Sequence, residues 1–332
     1  MKTIILLTLL SAFIFITGDV NAECRHKRYP KKLSDISDRS DIGCDLCGCY
    51  MGLDPNFDLN QVGVRFTSYK FFTEMHSSSS GSQSQNEPQL DHGGHDGTAS
   101  TEYYNDLEFY LRYYISPKFR LFFSIPFSSN DINGKKLNGT GDAKLISQYQ
   151  VYASSITDKT NFWQRIFLGG GVKLPTGVYN KSIVYGELDP HIQPGTGSFD
   201  FIMNGLYISK LEKTGLGWRN DIFYTINTTN SNGYRFANRF NLTSTFTFDI
   251  ISNEWTFLPH AGVYLEATGS DTQDGKDVPD TGGNAFFGAG GLDIYYNEFS
   301  FDFNIKFVLN DDLNGDQPEN DYRMFFGLGY AF

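Results

Sequence analysis

Read at period two, the last third of the chain separates into two faces. From Phe299 one phase runs Phe299, Phe301, Phe303, Ile305, Phe307, Leu309, against Glu298, Ser300, Asp302, Asn304, Lys306. From Tyr322 one phase runs Tyr322, Met324, Phe326, Leu328, Tyr330, Phe332, and the other carries Arg323, Gly327, Gly329 and Ala331. A third such segment starts at Phe236, with Phe240, Leu242, Phe246 and Phe248 against Arg239, Asn241, Thr243 and Thr245. Alternation of this kind predicts strands with one apolar face. Strands of a soluble sandwich average about five or six residues. These run to about ten or more, the length a tilted strand needs to cross hydrocarbon.

Similar segments fall at 60–72, 104–115, 119–127, 142–153, 162–174, 199–209, 217–227, 254–267 and 284–295. With the three above they make about twelve strands, an even number, as a closed bacterial barrel has. The connections alternate in length. Ser116-Pro117-Lys118, 250–253 and Tyr296-Asn297 are tight; 73–103, 128–141, 175–198, 269–283 and 310–320 are long. Short turns belong to the periplasmic side and long loops to the outside, which puts both termini in the periplasm. The expected fold is all-β: a transmembrane antiparallel up-and-down barrel over 60–332. It must close, because an open sheet edge in lipid leaves backbone groups unpaired. Outer-membrane lipid is then one partner, and the barrel-assembly machinery, reading the terminal strand that ends at Phe332, is another.

Composition sharpens this picture. The chain has 30 Phe and 20 Tyr among 332 residues, yet its mean hydropathy is −0.34. A barrel reconciles the two, since only every second strand residue is apolar while lumen and loops are polar. Residues 1–22 read as a signal peptide: Lys2, an apolar run from Ile4 to Ile16, then Val20-Asn21-Ala22. Asn21-Ala22-Glu23 before Cys24 is the wrong sequence for lipid attachment. No later stretch approaches the roughly 18 apolar residues of a spanning helix. The net charge of −11 argues against a nucleic-acid partner.

The polar phase places Arg65, Glu108, Arg112, Arg120, Lys144, Arg165, Lys173, Asp200, Arg219, Asp221, Arg239, Asp249, Glu254, Glu266, Asp302, Lys306 and Arg323 toward the lumen. Both signs are interspersed. One reading is a lumen laced by salt bridges; the other is a charged constriction that selects solutes. His260 shares this phase and reads as a hydrogen-bonded structural residue.

Residues 23–59 form a leader that holds all four cysteines, including Cys44, Cys47 and Cys49 in C-x-x-C-x-C spacing. An oxidising periplasm favours disulfides, with three full pairings open to four cysteines. The alternative is a thiolate site for Cu or Zn. The leader could also fold into the lumen as a plug. In the loop at 73–103, His76, His92 and His95 flank a Ser-rich run, which reads as solvated or as a weak external catch for the same metals. Asp271, Asp274, Asp277 and Asp280 lack the spacing of an EF-hand, and read as a solvated acidic loop.

Three stretches carry a family likeness: Gly141-Asp142-Ala143-Lys144-Leu145 leading to Tyr149, Gly169 to Gly177 (GGGVKLPTG), and Gln193 to Phe201 (QPGTGSFDF). They resemble the outer-membrane proteins named for the meta-pathway of phenol degradation, grouped with transporters and distantly like the long-chain fatty acid transporters. The resemblance covers roughly residues 104–332 and implies a barrel that passes small, hydrophobic or metal-linked solutes. Its motifs say little about substrate. Physically, the glycine run removes side chains where another segment approaches, and Pro175-Thr176-Gly177 and Pro194-Gly195-Thr196-Gly197 end strands and open a loop.

Three functions follow. The first is an outer-membrane channel or transporter for small solutes. The second is a non-conducting structural or surface-binding barrel. The third, a wall-embedded hydrolase, lacks any Ser or Asn motif beside a histidine that would specify a nucleophile, so no catalytic residue is assigned.

Overall fold

The computed structural model describes residues 60–73, 100–132, 134–154, 161–182, 189–211 and 213–332. The long strands are β1 (Gln61–Thr73), β2 (Ser100–Ser116), β3 (Phe119–Ile132), β5 (Lys144–Ala153), β6 (Phe162–Lys173), β7 (Asp200–Leu211), β8 (Leu216–Ile226), β10 (Arg239–Phe248), β12 (Trp255–Thr268), β15 (Gly283–Tyr296), β16 (Phe299–Leu313) and β17 (Glu319–Ala331). Between them lie the short β4 (Lys135–Thr140), β9 (Tyr234–Arg235), β11 (Ile250–Ser252), β13 (Thr272–Gln273) and β14 (Lys276–Asp277), and a 3-10 turn at Pro190–Ile192.

The main sheet has fourteen strands; without the short β4 and β11, twelve remain, and these form a closed antiparallel wall. Each long strand pairs with its chain neighbours, β10 joins β12, and β17 returns to β1 with Gln61 opposite Ala331. The amide of Phe332 donates to the carbonyl of Asn60 at 2.9 Å. No wall edge is left for lipid to desolvate.

β16 shows why this sequence makes a wall. Phe299, Phe301, Phe303 and Phe307 face outward and exposed, while Ser300, Asp302, Asn304 and Lys306 are buried inside. Each outward Phe or Leu that leaves water for lipid contributes about 1.5–3 kcal/mol. Outward rings gather at the short-connection end, where Trp255 stacks on Tyr296 with centroids 4.3 Å apart and Phe299 packs on Tyr330 at 5.4 Å. That is one girdle of a membrane barrel.

Connections 117–118, 213–215, 249–254 and 297–298 lie at one end, together with Asn60 and Phe332. Asn253 and Asn297 hold the left-handed backbone these tight turns need, at φ 53° and 51°. Two segments expected as loops are partly strand. β4 folds back on β3 within 128–141. β16 and β17 extend into 310–320 because their ends pair outward, Leu313 with Gly283 and Glu319 with Phe72. Those acidic ends carry no apolar phase, so period two could not mark them.

Candidate functional site

The wall turns nearly all the expected polar residues inward. Arg65, Glu108, Arg112, Arg120, Asp200, Arg219, Asp221, Asp302 and Lys306 are buried, and Lys144 and Glu266 are half-buried. Arg239 stands at the rim, exposed, with its Nε 3.6 Å from Glu266. Glu254 sits in the exposed turn before β12 rather than in the lumen.

Buried charges persist only with partners, and the lumen supplies them along and across strands. Arg65 lies 3.5 Å from Glu108 and over the Tyr110 ring at 4.2 Å. Arg219 donates to Asp221 through Nε at 2.6 Å and Nη2 at 3.3 Å. Toward the short-connection end, Lys210 pairs with Asp249. Arg120 donates to Gln148 Oε1 from Nε and Nη2, at 2.8 and 2.6 Å, and covers the Phe167 ring at 4.3 Å. Glu266 accepts from Arg323 and from the Tyr264 hydroxyl, both at 2.8 Å. His260 has Nδ1 3.6 Å from Asp293 and Nε2 3.4 Å from the Asn304 amide.

Between these pairs runs a feature the period-two reading missed. Tyr110, Phe122, Ile146, Ile202, Phe223, Tyr264, Ala285 and Phe287 form one apolar cluster on the inner face, on β2, β3, β5, β7, β8, β12 and β15. The arc left open, on β16, β17 and β1, carries cations: Lys306 stands over Tyr264 at 3.9 Å and Arg323 over Phe287 at 4.5 Å. The lumen is therefore banded, an apolar cluster flanked by charge: cations from β16, β17 and β1 cover its rings, and Arg112, Arg120 and Arg219 lie inward on its own strands.

The three motif stretches meet where β5, β6 and β7 reach the long-loop end. Asp142 is the hub. Its Oδ1 accepts from the Gly177 amide at 2.9 Å, and its Oδ2 accepts from the Thr196 amide and hydroxyl. Thr176 Oγ1 accepts from the Ala143 amide at 2.8 Å. Lys173 pairs with Asp200 and lies 3.8 Å from Asp142, and Ser198 donates to Asp200 at 3.1 Å. A Cβ on Gly177 would sit 2.7 Å from the Gly195 Cα, so only glycine permits the two loop arms to touch here. The motifs thus build a clamp that folds the loop between β6 and β7 back onto the wall.

From that clamp the chain crosses the mouth. Asn130, on the inner face of β3, donates to the Ile192 carbonyl at 2.8 Å, and Ile192 is buried. Beside it, His191 Nε2 lies 2.9 Å from the Tyr234 hydroxyl and 3.3 Å from Asp271 Oδ2. Around the ring of twelve, β3 stands opposite the β12–β15 connection that carries Asp271. Residues 189–193 therefore tie β3 to a loop that springs from the opposite side of the ring. Asp189 opens the turn, its Oδ1 accepting from the His191 amide at 2.9 Å with Pro190 at the first position. Asp-Pro was the only local signal for it.

Asp271 also accepts from the Ala237 amide at 2.7 Å and from the Tyr234 hydroxyl at 2.6 Å. It anchors the mouth rather than an open acidic loop. Burial pushes the Tyr234 hydroxyl well up, and Asp271 adds to the shift. The His191 side chain keeps about half its surface exposed; crowding at the mouth works against its charge, but the Asp271 hydrogen bond and charge outweigh it, so His191 is raised. Asp271 is lowered, because its His191 and Tyr234 bonds outweigh its own burial. Against the crossing segment, Pro190 and Gln193 with Tyr179, Asn232, Tyr234 and Gln273 help line a recess of about 240 Å³.

Among the described residues no group of three or more His, Cys, Asp and Glu is placed to hold a metal ion. Residues 1–59, with Cys44, Cys47 and Cys49, and the loop histidines His76, His92 and His95 lie outside the described residues.

No family model matches the chain, and no curated protein matches it significantly. Among solved structures it is similar to an outer membrane channel from Pseudomonas putida F1, with a TM-score of 0.57 and 14% identity over 86% of this chain and 99% of that one. It is also similar to the β-domain of the Bordetella autotransporter BrkA, with a TM-score of 0.42 and 12% identity over 83% of this chain and 100% of that one. For the translocator domain of autotransporter NalP from Neisseria meningitidis the values are 0.40 and 11%, over 85% and 91%. These are likenesses of fold, shared with outer-membrane barrels.

Proposed function

We propose that the chain is an outer-membrane channel for small solutes with an apolar body, oriented with its short connections and both termini in the periplasm. The observation that carries this reading is the banded lumen. Tyr110, Phe122, Ile146, Phe223 and Phe287 turn inward although the wall has a lipid face to receive such residues. The band is buried, covered by Arg65 over Tyr110, Lys306 over Tyr264 and Arg323 over Phe287; a solute that displaces these side chains gains a place for its hydrocarbon surface to leave water, at about 25 cal/mol per Å².

Membership of the family named for the meta-pathway of phenol degradation belongs to this reading, and rests on the three motifs that converge at Asp142. A leader over residues 23–59 that folds into the lumen as a plug goes instead with a silent barrel. Metal binding by Cys44, Cys47 and Cys49 rests on their spacing alone. Loss of chelator-sensitive Cu or Zn binding in the triple serine variant supports it, and unchanged binding removes it.

A second reading, a barrel that binds at its surface and does not conduct, is favoured by the segment 189–193 across the mouth. Single-channel recording of the refolded mature protein in planar bilayers separates the two. Discrete steps, blocked by amphipathic solutes more than by sugars of equal size, are expected of the channel. Silence from protein whose barrel is shown by heat-shifted gel mobility overturns it in favour of the second reading.

A further inference from the structure

We propose that the crossing segment 189–193 is a latch on the outer mouth, and that a proton on His191 holds it shut. This holds whether or not the lumen conducts, because it concerns the segment's own equilibrium.

The hydrogen-bond directions come first. Tyr234 has one hydroxyl hydrogen, and it goes to Asp271 at 2.6 Å. The tyrosine oxygen facing His191 at 2.9 Å is therefore an acceptor, and His191 Nε2 must be the donor. Nε2 carries a hydrogen in the imidazolium and in one neutral tautomer. Only the imidazolium also gives Asp271, 3.3 Å away, a charge to hold. Charge-assisted hydrogen bonds are roughly twice as strong as neutral ones, so losing the proton weakens this end of the segment without abolishing it. The other end, Asn130 to the Ile192 carbonyl, has no titrating group.

The surroundings favour the proton on balance. Asp189, on the segment itself, and Asp271, from the β12–β15 connection, both raise His191; Arg239, from β10, opposes them. Tyr234 on β9 stays protonated through the relevant range. Tyr104 on β2, bonded to Glu102, faces the Asp189 end of the segment. The ring also packs edge-on against Tyr234 and Phe236, with centroids 6.1 and 5.5 Å away. In the latched state His191 lies above its ordinary 6.5. Its contribution is thus complete below about pH 6.5 and is lost as pH rises through the raised value. An acid exterior holds the mouth latched, and an alkaline one loosens it.

Hydrogen exchange by mass spectrometry on the refolded mature chain tests this directly. Protection factors, each taken against the intrinsic rate at the same pH, are compared at pH 5.5 and 8.5. The reporters are the peptide spanning 189–195, which holds the Gly195 amide bonded to the Val178 carbonyl at 2.8 Å, and a β3 peptide around Phe122 as control. Protection of 189–195 is expected to fall severalfold at the higher pH, with the β3 peptide unchanged. In His191→Gln the segment should be equally loose at both values. Asp271→Asn should do the same, if its barrel still shows heat-shifted mobility. A flat wild-type profile overturns the latch, and so does a fall of the same size in His191→Gln.

Discussion

Asp142 and Thr196 are joined twice across a sequence separation of 54: the Thr196 amide donates to Asp142 Oδ2 at 2.8 Å, and its hydroxyl to the same oxygen at 2.7 Å. Gly177 takes the other carboxylate oxygen. The carboxylate is buried, and Lys173 lies 3.8 Å away. Replacing Asp142 by Ala strands three donors and removes a counter-charge. The expected cost is about 3–5 kcal/mol, as for breaking a buried charged pair. Thr196→Val removes only the hydroxyl bonds and should cost about 1 kcal/mol. Urea unfolding in detergent micelles, followed by tryptophan fluorescence, ranks the two. Equal effects would mean that Asp142 is not the hub.

The wall was legible because its outward positions repeat without error over long strands, as in Phe299 to Phe307. The inner apolar band was not. Phe109-Tyr110-Leu111, Phe122-Phe123 and Phe286-Phe287 are apolar in both phases, so period two cancels where both faces are aromatic. The clamp was visible only as three glycine-rich stretches, since nothing local says that Asp142 waits for Thr196. The mouth was hidden for a similar reason. His191 and Asp271 belong to different loops, and a three-residue turn carries no periodicity.

Glycines on the two faces of the wall should respond oppositely to a methyl group. A Cβ on Gly169 would run into the Ser147 carbonyl and the Asn204 amide inside the lumen; one on Gly205 meets only Leu168 Cδ2, at 3.7 Å. Gly169→Ala is expected to lose about 1–3 kcal/mol by overpacking. Gly205→Ala should gain about 0.5–1 kcal/mol, because glycine in a strand carries an entropic penalty. The same urea titration reads both signs, and a stabilised Gly169→Ala would contradict the inward assignment of that face.

The lipid face makes its own demand. Phe303 points outward from β16 beside Phe326 of β17, with ring centroids 5.0 Å apart. Phe303→Arg places a cation among acyl chains, at about 2–4 kcal/mol near the midplane. Asp277→Arg, on the exposed β14 beyond the wall, should change stability by less than about 0.5 kcal/mol. Refolding yield into bilayers of defined thickness, scored by heat-shifted mobility, distinguishes them. Equal yields would place Phe303 away from hydrocarbon.

Phe332 links closure of the wall to its delivery. Its amide bond to the Asn60 carbonyl is a single backbone contact beyond the last paired residue, and its ring is 57% exposed on the outer surface. Deleting it removes one hydrogen bond, about 0.5–1.5 kcal/mol, from a wall whose β1–β17 ladder already runs from Gln61 to Phe72. Refolding of the purified deletion variant in detergent should therefore stay close to wild type. If the terminal strand is what an assembly machinery reads in cells, the same variant should reach the outer membrane in much lower yield. The paired measurement is heat-modifiable protein in isolated outer membranes against heat-modifiable protein refolded from urea. A parallel loss in both would make Phe332 a stability residue, and no loss in either would remove it from assembly as well.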